Sequence, residues 1–290
     1  LSLMVQHSKK IVVASGAGIS CSSGIPDFRS ENGIFSQVKQ LFPNLPGTGR
    51  SFFDATVLQD QGMKSAFYRF MATLKRAVDA APPSPTHEFI KTLDDGGKLL
   101  RCYTQNIDGL EKKAGLSMSD DLQDDASRVV QLHAGLHTVR CTVCCTRYEW
   151  TAEYQTLFLE GQAPDCPDCL SRAAGRGVDT RRPITVGSLR PAVVLYNEDT
   201  SSADEIGRIW AKDMKKQPDL LIIMGTSMKV EAFNRLVKDF AKAVHASPNK
   251  RAGKVILINK TPPKGQWHSI IDYHVLGETD DWVKRVSADW

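Results

Sequence analysis

Near its start the chain reads IVVASGAGIS, residues 11–20. A short apolar run rich in β-branched residues leads directly into a turn with two glycines, an order that is typical of a buried parallel strand followed by a helix. Glycines at such a turn let the backbone approach a pyrophosphate, while the next helix directs its N-terminus at the negative charge. The stretch therefore predicts the first strand of an α/β sheet with a nucleotide-binding turn.

The same pattern recurs along the rest of the chain. Further apolar runs have the length and composition of strands: residues 98–104, 129–132, 220–224 and 255–258. Segments with helical periodicity, such as residues 230–244, separate them. This alternation predicts an α/β fold with a Rossmann-like, doubly wound parallel sheet.

Two stretches interrupt this alternation. An aromatic stripe at helical spacing predicts a helical module over residues 37–81. Clustered cysteines without apolar periodicity predict a small metal-binding module over residues 137–188. The predicted division is a Rossmann-like domain formed by residues 1–36, 82–136 and 189–290, with these two modules inserted into it.

Composition and charge narrow the classes of partner. The 290 residues carry a formal net charge of +4, too little to predict nucleic-acid binding, which needs several phosphates neutralised on one face. No apolar stretch is long enough to span a bilayer, and residues 1–10 lack the apolar segment of a secretory signal. We expect a soluble protein without direct sequence-specific nucleic-acid contact or membrane contact. The start at Leu1 rather than Met indicates a trimmed segment.

The cysteines predict a metal site. Cys141 and Cys144 form one Cys-x-x-Cys pair, and Cys166 and Cys169 form a second. Four thiolates complete the tetrahedral sphere of zinc and leave no position for water, so the predicted ion is structural. An odd total of seven cysteines also favours a metal site in a reducing compartment over disulfides. Cys145 could substitute for its neighbour Cys144.

The glycine turn differs from that of hydride-transferring enzymes. Cys21 occupies the position of the third glycine in the usual dinucleotide fingerprint, which disfavours an ordinary Rossmann dehydrogenase. Residues 22–29, SSGIPDFR, place a rigid proline, a carboxylate, an aromatic ring and an arginine just beyond the turn. Such a run is expected of a flap that closes over a cofactor.

These motifs together resemble the sirtuin family. The resemblance covers nearly the whole chain, in order: GAGISCSSGIPDFR at 16–29, TQNID at 104–108, His133, the two cysteine pairs, RPAVV at 190–194, GTS at 225–227 and Asn259-Lys260. It implies a large Rossmann-like domain with a small domain made of a helical module and a zinc ribbon. It also implies an NAD-dependent protein lysine deacetylase that releases nicotinamide and O-acetyl-ADP-ribose, with NAD as co-substrate and one structural zinc ion.

The resemblance further implies roles for individual residues. Residues that would bind NAD are Gly16, Ala17, Gly18, Ser20, Ile25, Pro26, Asp27, Phe28, Arg29, Gln105, Asn106, Ile107, Asp108, Gly225, Thr226, Ser227, Asn259, Lys260 and Thr279. Phe28 would shield the reacting ribose. His133 would be the general base, a role that suits a side chain with a pKa near neutrality, and Asn106 would also be catalytic. The substrate peptide would pair as an added strand with Val194, Leu195, Tyr196, Asn197 and Glu198.

Two residues depart from the family pattern. Ala134 follows His133 where most sirtuins have glycine, and since alanine accepts a positive φ poorly, it predicts a φ that is not positive. Asn197 replaces a glycine of many relatives. Asparagine tolerates the left-handed region better than most residues, so we expect the bend to be kept there.

Within the family, the chain looks most like the fungal nuclear class I branch that acts on a core lysine of histone H3. The residues that carry this likeness are 189–191, 194–196, 229–230 and 259–263. The implied role is transcription regulation on chromatin in the nucleus, with a general cytoplasmic deacetylase as the alternative. Two other functions remain open: mono-ADP-ribosyl transfer, and a non-catalytic NAD-sensing or zinc-ribbon module that binds chromatin.

Overall fold

A computed structural model describes residues 1–44, 49–118, 127–175, 185–198, 202–249 and 253–289. The chain divides into two compact units. The first unit comprises Leu1–Asp27, Ala81–Leu132 and Thr200–Trp290, and the second comprises Phe28–Ala80 and His133–Asp199. Over the described ranges, no helix combines the length and apolar character needed to cross a membrane.

Helices and strands are interspersed along the chain. The helices are α1 Ser2–His7, α2 Ile34–Leu41, α3 Gln61–Ala80, α4 Pro85–Asp95, α5 Leu110–Lys113, α6 Ala152–Leu159, α7 Pro167–Gly175, α8 Ala203–Lys215, α9 Glu231–His245 and α10 Thr279–Ala288. The strands are β1 Ile11–Ser15, β2 Leu99–Thr104, β3 Val129–Gln131, β4 Thr138–Cys141, β5 Arg147–Glu149, β6 Leu189–Pro191, β7 Leu220–Met224, β8 Lys254–Asn259 and β9 Tyr273–Leu276.

The first unit contains a six-stranded sheet in the order β3-β2-β1-β7-β8-β9, in which every pairing is parallel. The chain runs from β1 outward to β2 and β3, then returns to the other side of β1 for β7, β8 and β9. The strand order therefore reverses between β1 and β7, the place where open α/β sheets bind ligands. The predicted Rossmann-like, doubly wound parallel sheet is confirmed.

Apolar side chains cover both faces of this sheet. On one face Val13 and Ile222 pack into a core with α4 and α10, and on the other face Val12 and Leu221 pack into a core with α9. Strands buried on both sides read as continuous apolar runs in the sequence. This explains why the sequence predicts the central strands close to their observed ends.

The second unit contains a smaller antiparallel sheet in the order β5-β4-β6. Helix α3 packs against α6, where the rings of Tyr68 and Phe158 lie 5.1 Å apart. Phe52 and Phe53 form the centre of an aromatic cluster that also includes Phe67 and Phe70. The finer division into a helical module over 37–81 and a zinc ribbon over 137–188 stays a prediction.

Candidate functional site

The carboxyl ends of β1 and β7 pack tightly against each other. The Gly16 amide donates to the Met224 carbonyl over 3.0 Å, and the Gly18 amide donates to the Gly225 carbonyl over 2.8 Å. A Cβ on Gly18 would lie 2.7 Å from the Cα of Gly225, which itself has a φ of 60°. Only glycine fits this approach of two backbones. The amides of Gly16 and Gly18 are thus used inside the protein, and the glycines serve the close packing of the strand ends.

The end of β2 joins the same place. The Gln105 amide donates to the Ser15 carbonyl over 3.0 Å, and its side-chain Nε2 donates to the Thr226 hydroxyl over 2.8 Å. The loops after β1, β2 and β7 are therefore linked directly. Of the predicted NAD residues, the structure brings together Gly16, Gly18, Gln105, Gly225 and Thr226.

The helix that follows the glycine turn is a 3-10 helix, Ala17–Ser23, which ends at Gly24 with a φ of 87°. The sequence predicts a helix whose N-terminus faces a pyrophosphate. The observed helix is short and has the poorer hydrogen-bond geometry of its class, so the charge at its N-terminus is weaker than that of a long α-helix. Its buried Ser20 instead faces a side-chain network.

This network connects Ser20, Asn106 and Asp108, all of which are buried. The Ser20 hydroxyl donates to Asp108 Oδ2 over 2.8 Å and accepts the Asn106 Nδ2 group over 3.1 Å. These bonds fix the Asn106 amide, and its Oδ1 is buried without a hydrogen-bond partner in the described parts of the chain. A buried acceptor without a partner is costly, and a ligand hydroxyl or a water satisfies it. The side chains present here therefore fit a hydroxyl-rich ligand such as NAD.

Other predicted NAD residues of the first unit lie in neighbouring loops. Asn259 ends β8 and its Nδ2 donates to the Thr261 carbonyl over 3.1 Å. Lys260 forms an ion pair with Glu278, which raises the pKa of the lysine. Thr279 is buried and accepts the Thr86 hydroxyl from α4 over 2.9 Å, so its own hydroxyl is engaged within the protein. The remaining residues in these loops are Ala17, Ile25, Pro26, Asp27, Ile107 and Ser227.

Two predicted flap residues belong to the second unit. The Phe28 ring packs edge-on against Phe35 at 5.8 Å and Phe53 at 5.6 Å. The Arg29 side chain is exposed and donates to the Tyr196 hydroxyl over 3.2 Å. Both side chains are thus anchored on residues of their own unit.

His133 lies in the second unit and is partly buried. Its carbonyl accepts the Val194 amide over 3.0 Å, which ties the predicted base to the predicted substrate segment. The next residue, Ala134, has a φ of 53°, so the prediction that this angle is not positive is wrong. A left-handed alanine costs about 1–2 kcal/mol, and the tertiary bond from His133 to Val194 helps to offset that cost.

The predicted substrate segment is held by intramolecular bonds. The Tyr196 amide donates to the Phe53 carbonyl over 2.8 Å, and its carbonyl accepts the Ala55 amide over 2.9 Å. Asn197 has a φ of 58°, so the expected left-handed bend is present, and its Nδ2 donates to Asp54 over 2.6 Å. An added strand must therefore pair with backbone groups other than those of Tyr196.

Glu198, at the end of this segment, is engaged by two arginines. Its Oε1 accepts from Arg140 on β4 and from the buried Arg190 on β6, and its Oε2 accepts the Leu195 amide over 3.0 Å. A buried guanidinium needs such a partner, because an unpaired charge in the interior is strongly destabilising. The structure therefore gives Glu198 an internal structural role.

The four predicted zinc ligands converge. One sulfur from each of Cys141, Cys144, Cys166 and Cys169 lies within 4.8 Å of the others. The Cys141–Cys169 and Cys144–Cys166 sulfur pairs are 3.7 and 3.6 Å apart, close to the roughly 3.8 Å edge of a tetrahedron with zinc–sulfur bonds of about 2.3 Å. The amides of Val143 and Cys144 donate to the Cys141 sulfur, as expected around a thiolate. This donor set fits one structural zinc ion.

Cys145 lies outside this set. Its side chain is exposed and its φ is 61°, a left-handed position that closes the turn after Cys144. The Thr146 hydroxyl and amide lower the pKa of the Cys144 thiol to about 6, which favours the thiolate that binds metal. The structure thus assigns the ligand role to Cys144 and not to Cys145.

Two buried residues next to Asp108, His87 and Glu111, are not predicted from the sequence. A ring nitrogen of His87 and one carboxylate oxygen each of Asp108 and Glu111 lie within 4.8 Å of one another. Glu111 precedes two lysines, a pattern that reads as a solvated turn. The apolar Leu110 at the start of the same turn is the feature of the sequence that indicates burial there.

The comparisons with known proteins agree with this geometry. A family model described as Sir2 family matches residues 16–232. The chain belongs to the Sir2 family, the sirtuins. The resemblance stated from the motifs is therefore confirmed.

Several relatives cover almost all of this sirtuin chain. The NAD-dependent histone deacetylase HST3 of Candida albicans is 39% identical over 98% of the chain, which spans 60% of that relative. The protein of the same name from Saccharomyces cerevisiae is 41% identical over 96% of the chain, which spans 65% of that relative. The chain thus spans less than two thirds of these relatives.

Solved structures of similar fold include one described as the structural basis for the mechanism and regulation of Sir2 enzymes. It is 25% identical and superimposes with a TM-score of 0.70 over 99% of this chain and 95% of its own. A structure of Sir2Tm bound to a propionylated peptide gives a TM-score of 0.71 at 22% identity, over 99% of this chain and 95% of that one. The fold is that of the sirtuins.

Proposed function

We propose that this chain is an NAD-dependent protein lysine deacetylase that releases nicotinamide and O-acetyl-ADP-ribose. The observation that carries the proposal is the buried Asn106 amide, whose orientation is fixed by Ser20 and whose Oδ1 has no partner in the described chain, beside the linked ends of β1, β2 and β7. The relatives named NAD-dependent histone deacetylases support it.

NAD, when bound, would supply an electrophilic ribose carbon that loses nicotinamide and a ribose hydroxyl that finally carries the acyl group. The residues of the chain supply position and proton transfer. Asn106 offers a fixed carbonyl oxygen to a polar group of the ligand, and such pre-organised groups need no rearrangement during reaction. His133 takes up a proton as general base. The four cysteines would hold zinc without an open position for water or substrate, so the ion would contribute to folding and not to the reaction.

Histones, and histone H3 in particular, are the proposed substrate, and the nucleus is the proposed location. The names of the relatives from two yeasts support a histone substrate. The likeness of residues 189–191 and 194–196 to the fungal nuclear branch supports H3. A general deacetylase in the cytoplasm is the alternative outcome.

The test measures nicotinamide release with an acetylated H3 peptide, the same peptide without the acetyl group, and an unrelated acetylated peptide. We expect release that depends on the acetyl group and favours H3. In His133→Ala, NAD binding should persist while deacetylation falls about 10²- to 10⁴-fold, the usual contribution of a positioned general base. His268→Ala, an exposed histidine of the first unit, is the control and should keep the parent rate.

Three results would contradict the proposal or part of it. Absence of nicotinamide release would leave a non-catalytic module. Radiolabel transfer from NAD to protein without deacetylation would indicate mono-ADP-ribosyl transfer. A parent-like rate in His133→Ala would move the base to another residue.

A further inference from the structure

Three titratable side chains meet in the interior of the first unit. His87 on α4, Asp108 after β2 and Glu111 on α5 are all buried, and a ring nitrogen and one oxygen from each acid lie within 4.8 Å of one another. The Ser84 amide donates to His87 Nδ1 over 3.1 Å, while His87 Nε2 is buried without a partner in the described chain. Two carboxyl groups this close in a buried site do not both ionise. One of them therefore keeps a proton.

Hydrogen bonding decides which acid keeps it. Asp108 accepts the Leu110 amide on Oδ1 over 3.0 Å and the Ser20 hydroxyl on Oδ2 over 2.8 Å, so each of its oxygens has a donor. Within the described ranges, neither oxygen of Glu111 has a hydrogen bond of ordinary geometry. Burial, followed by the Asp108 charge, raises the pKa of Glu111 to about 8, against a smaller opposing effect of the Thr104 hydroxyl. The proton therefore resides on Glu111 at neutral pH.

Besides Asp108, His87 and Cys102 face Glu111, and both are neutral at neutral pH. Burial lowers the pKa of His87, against the smaller opposing effects of Asp108 and Asp280, so the imidazole carries no charge at neutral pH. Burial raises the pKa of Cys102 on β2, and ionised Glu111 would raise it further, so the thiol keeps its proton. Among the described residues, the neighbouring charge that raises the pKa of Glu111 is that of Asp108. Ionisation of Glu111 would place a second charge beside it.

One hydroxyl group links Asp108 to Asn106. Ser20 donates to Asp108 and accepts the Asn106 amide, so a shift of Asp108 would release the amide from its fixed orientation. We propose that Glu111 is a positioning residue whose proton keeps Asp108 in place and, through Ser20, keeps the Asn106 carbonyl directed at the ligand. The inference rests on the proposed function, in which Asn106 is catalytic.

The experiment compares the pH dependence of kcat and KM for the parent chain, Glu111→Gln and Glu88→Gln. Glutamine keeps a neutral side chain of similar size at every pH. In the parent, kcat should fall about tenfold for each pH unit above about 8, as Glu111 loses its proton. In Glu111→Gln this alkaline decline should be absent, with a neutral-pH rate close to that of the parent. Glu88, exposed on α4, is the matched control and should keep the decline.

A second measurement follows stability and needs no activity. Because the folded-state pKa of Glu111 lies above its unfolded value, its contribution to stability is complete below the ordinary carboxyl pKa and is lost as pH rises through about 8. The melting temperature of Glu111→Gln should therefore exceed that of the parent by a margin that grows over this range and is constant above it. Glu88→Gln should follow the parent.

The outcomes separate the two proposals. A parent without deacetylase activity but with the pH-dependent stability margin would contradict the proposed function and leave the proton on Glu111 supported. An active parent whose alkaline decline persists in Glu111→Gln would overturn the inference alone. A second metal ion per chain that Glu111→Gln loses would also overturn it, because the cluster would then hold a cation in place of the proton.

Discussion

The six-stranded sheet of the first unit and the three-stranded sheet of the second unit are stabilised in different ways. Every residue of β7 is buried, and its side chains enter apolar cores on both faces of the large sheet. In the small sheet, β5 has exposed side chains at both ends and β4 ends at Cys141. Stability is thus spread over many apolar contacts in the large sheet, whereas the small sheet depends on the four sulfur ligands beside it, apart from the aromatic cluster elsewhere in its unit. A single substitution should therefore act differently in each.

The largest effect should follow loss of one zinc ligand. Cys166→Ser removes a sulfur from the four-cysteine set, and structural zinc sites contribute about 10–16 kcal/mol of apparent binding energy to folding. We expect loss of the metal, unfolding or aggregation of the cysteine module, and indirect loss of activity, while the large sheet keeps its amide protection. Elemental analysis and hydrogen exchange measure these effects.

Cys145→Ser is the matched control, since Cys145 is exposed and lies outside the ligand set. It should keep one zinc ion per chain and normal exchange. Full metal content together with full activity in Cys166→Ser would show that the small sheet does not depend on the four sulfur ligands.

A smaller effect should follow from a cavity in the large sheet. Ile222 is fully buried in β7, and truncation of such a residue costs about 2–5 kcal/mol. Ile222→Ala should speed hydrogen exchange throughout the first unit and lower its denaturation midpoint, yet leave zinc bound. Leu276→Ala, at a mostly exposed position on β9, should change stability by no more than about 0.5 kcal/mol. If Ile222→Ala lost zinc as readily as Cys166→Ser, the two stabilising mechanisms would not be separate.

The smallest effect concerns backbone strain beside the predicted base. Glycine at position 134 removes the left-handed penalty of alanine but adds chain entropy to the unfolded state, for a net gain of about 0.5–1 kcal/mol. Ala134→Gly should raise the stability of the second unit by this amount in hydrogen exchange at Val139 and its neighbours. Ala152→Gly, at the first residue of α6, lacks the left-handed penalty and should lower stability by at most about 0.5–1 kcal/mol. Equal loss in both variants would show that φ at Ala134 is unstrained.

The strands that the sequence predicts are those that a local pattern of apolar residues identifies. Strands such as β1 and β7 were predicted because burial on both faces demands unbroken apolar runs. Strand β9 was not predicted, because it lies at the sheet edge with partly exposed residues that carry no such run. Strands β4 and β5 were missed because charged residues interrupt them and long-range pairing defines them.

In the candidate site, too, features set by neighbouring residues are predicted and features set by distant contacts are not. The cysteine spacing predicts a set of ligands that the structure brings together, since a knuckle is a local structure. The roles assigned to His133 and to the NAD-binding residues stay predictions. Glu111 is buried beside His87 of α4, a long-range contact that its neighbours in the sequence do not reveal. Ala134 has a positive φ next to His133, whose carbonyl accepts the amide of distant Val194, whereas the propensity of alanine alone predicts a negative φ.

The order of strands in the large sheet has a consequence for biosynthesis. Strand β1 leaves the ribosome long before β7, yet Ile11 in β1 pairs with Leu220 in β7. Until then one edge of an apolar strand stays unpaired, and contacts between such distant residues form slowly because a long loop must close first. An unpaired apolar edge is also a template for aggregation. Nascent chains of this protein should therefore depend on chaperone protection until β7 is complete, and a slower translation rate before β7 should lower the yield of folded protein.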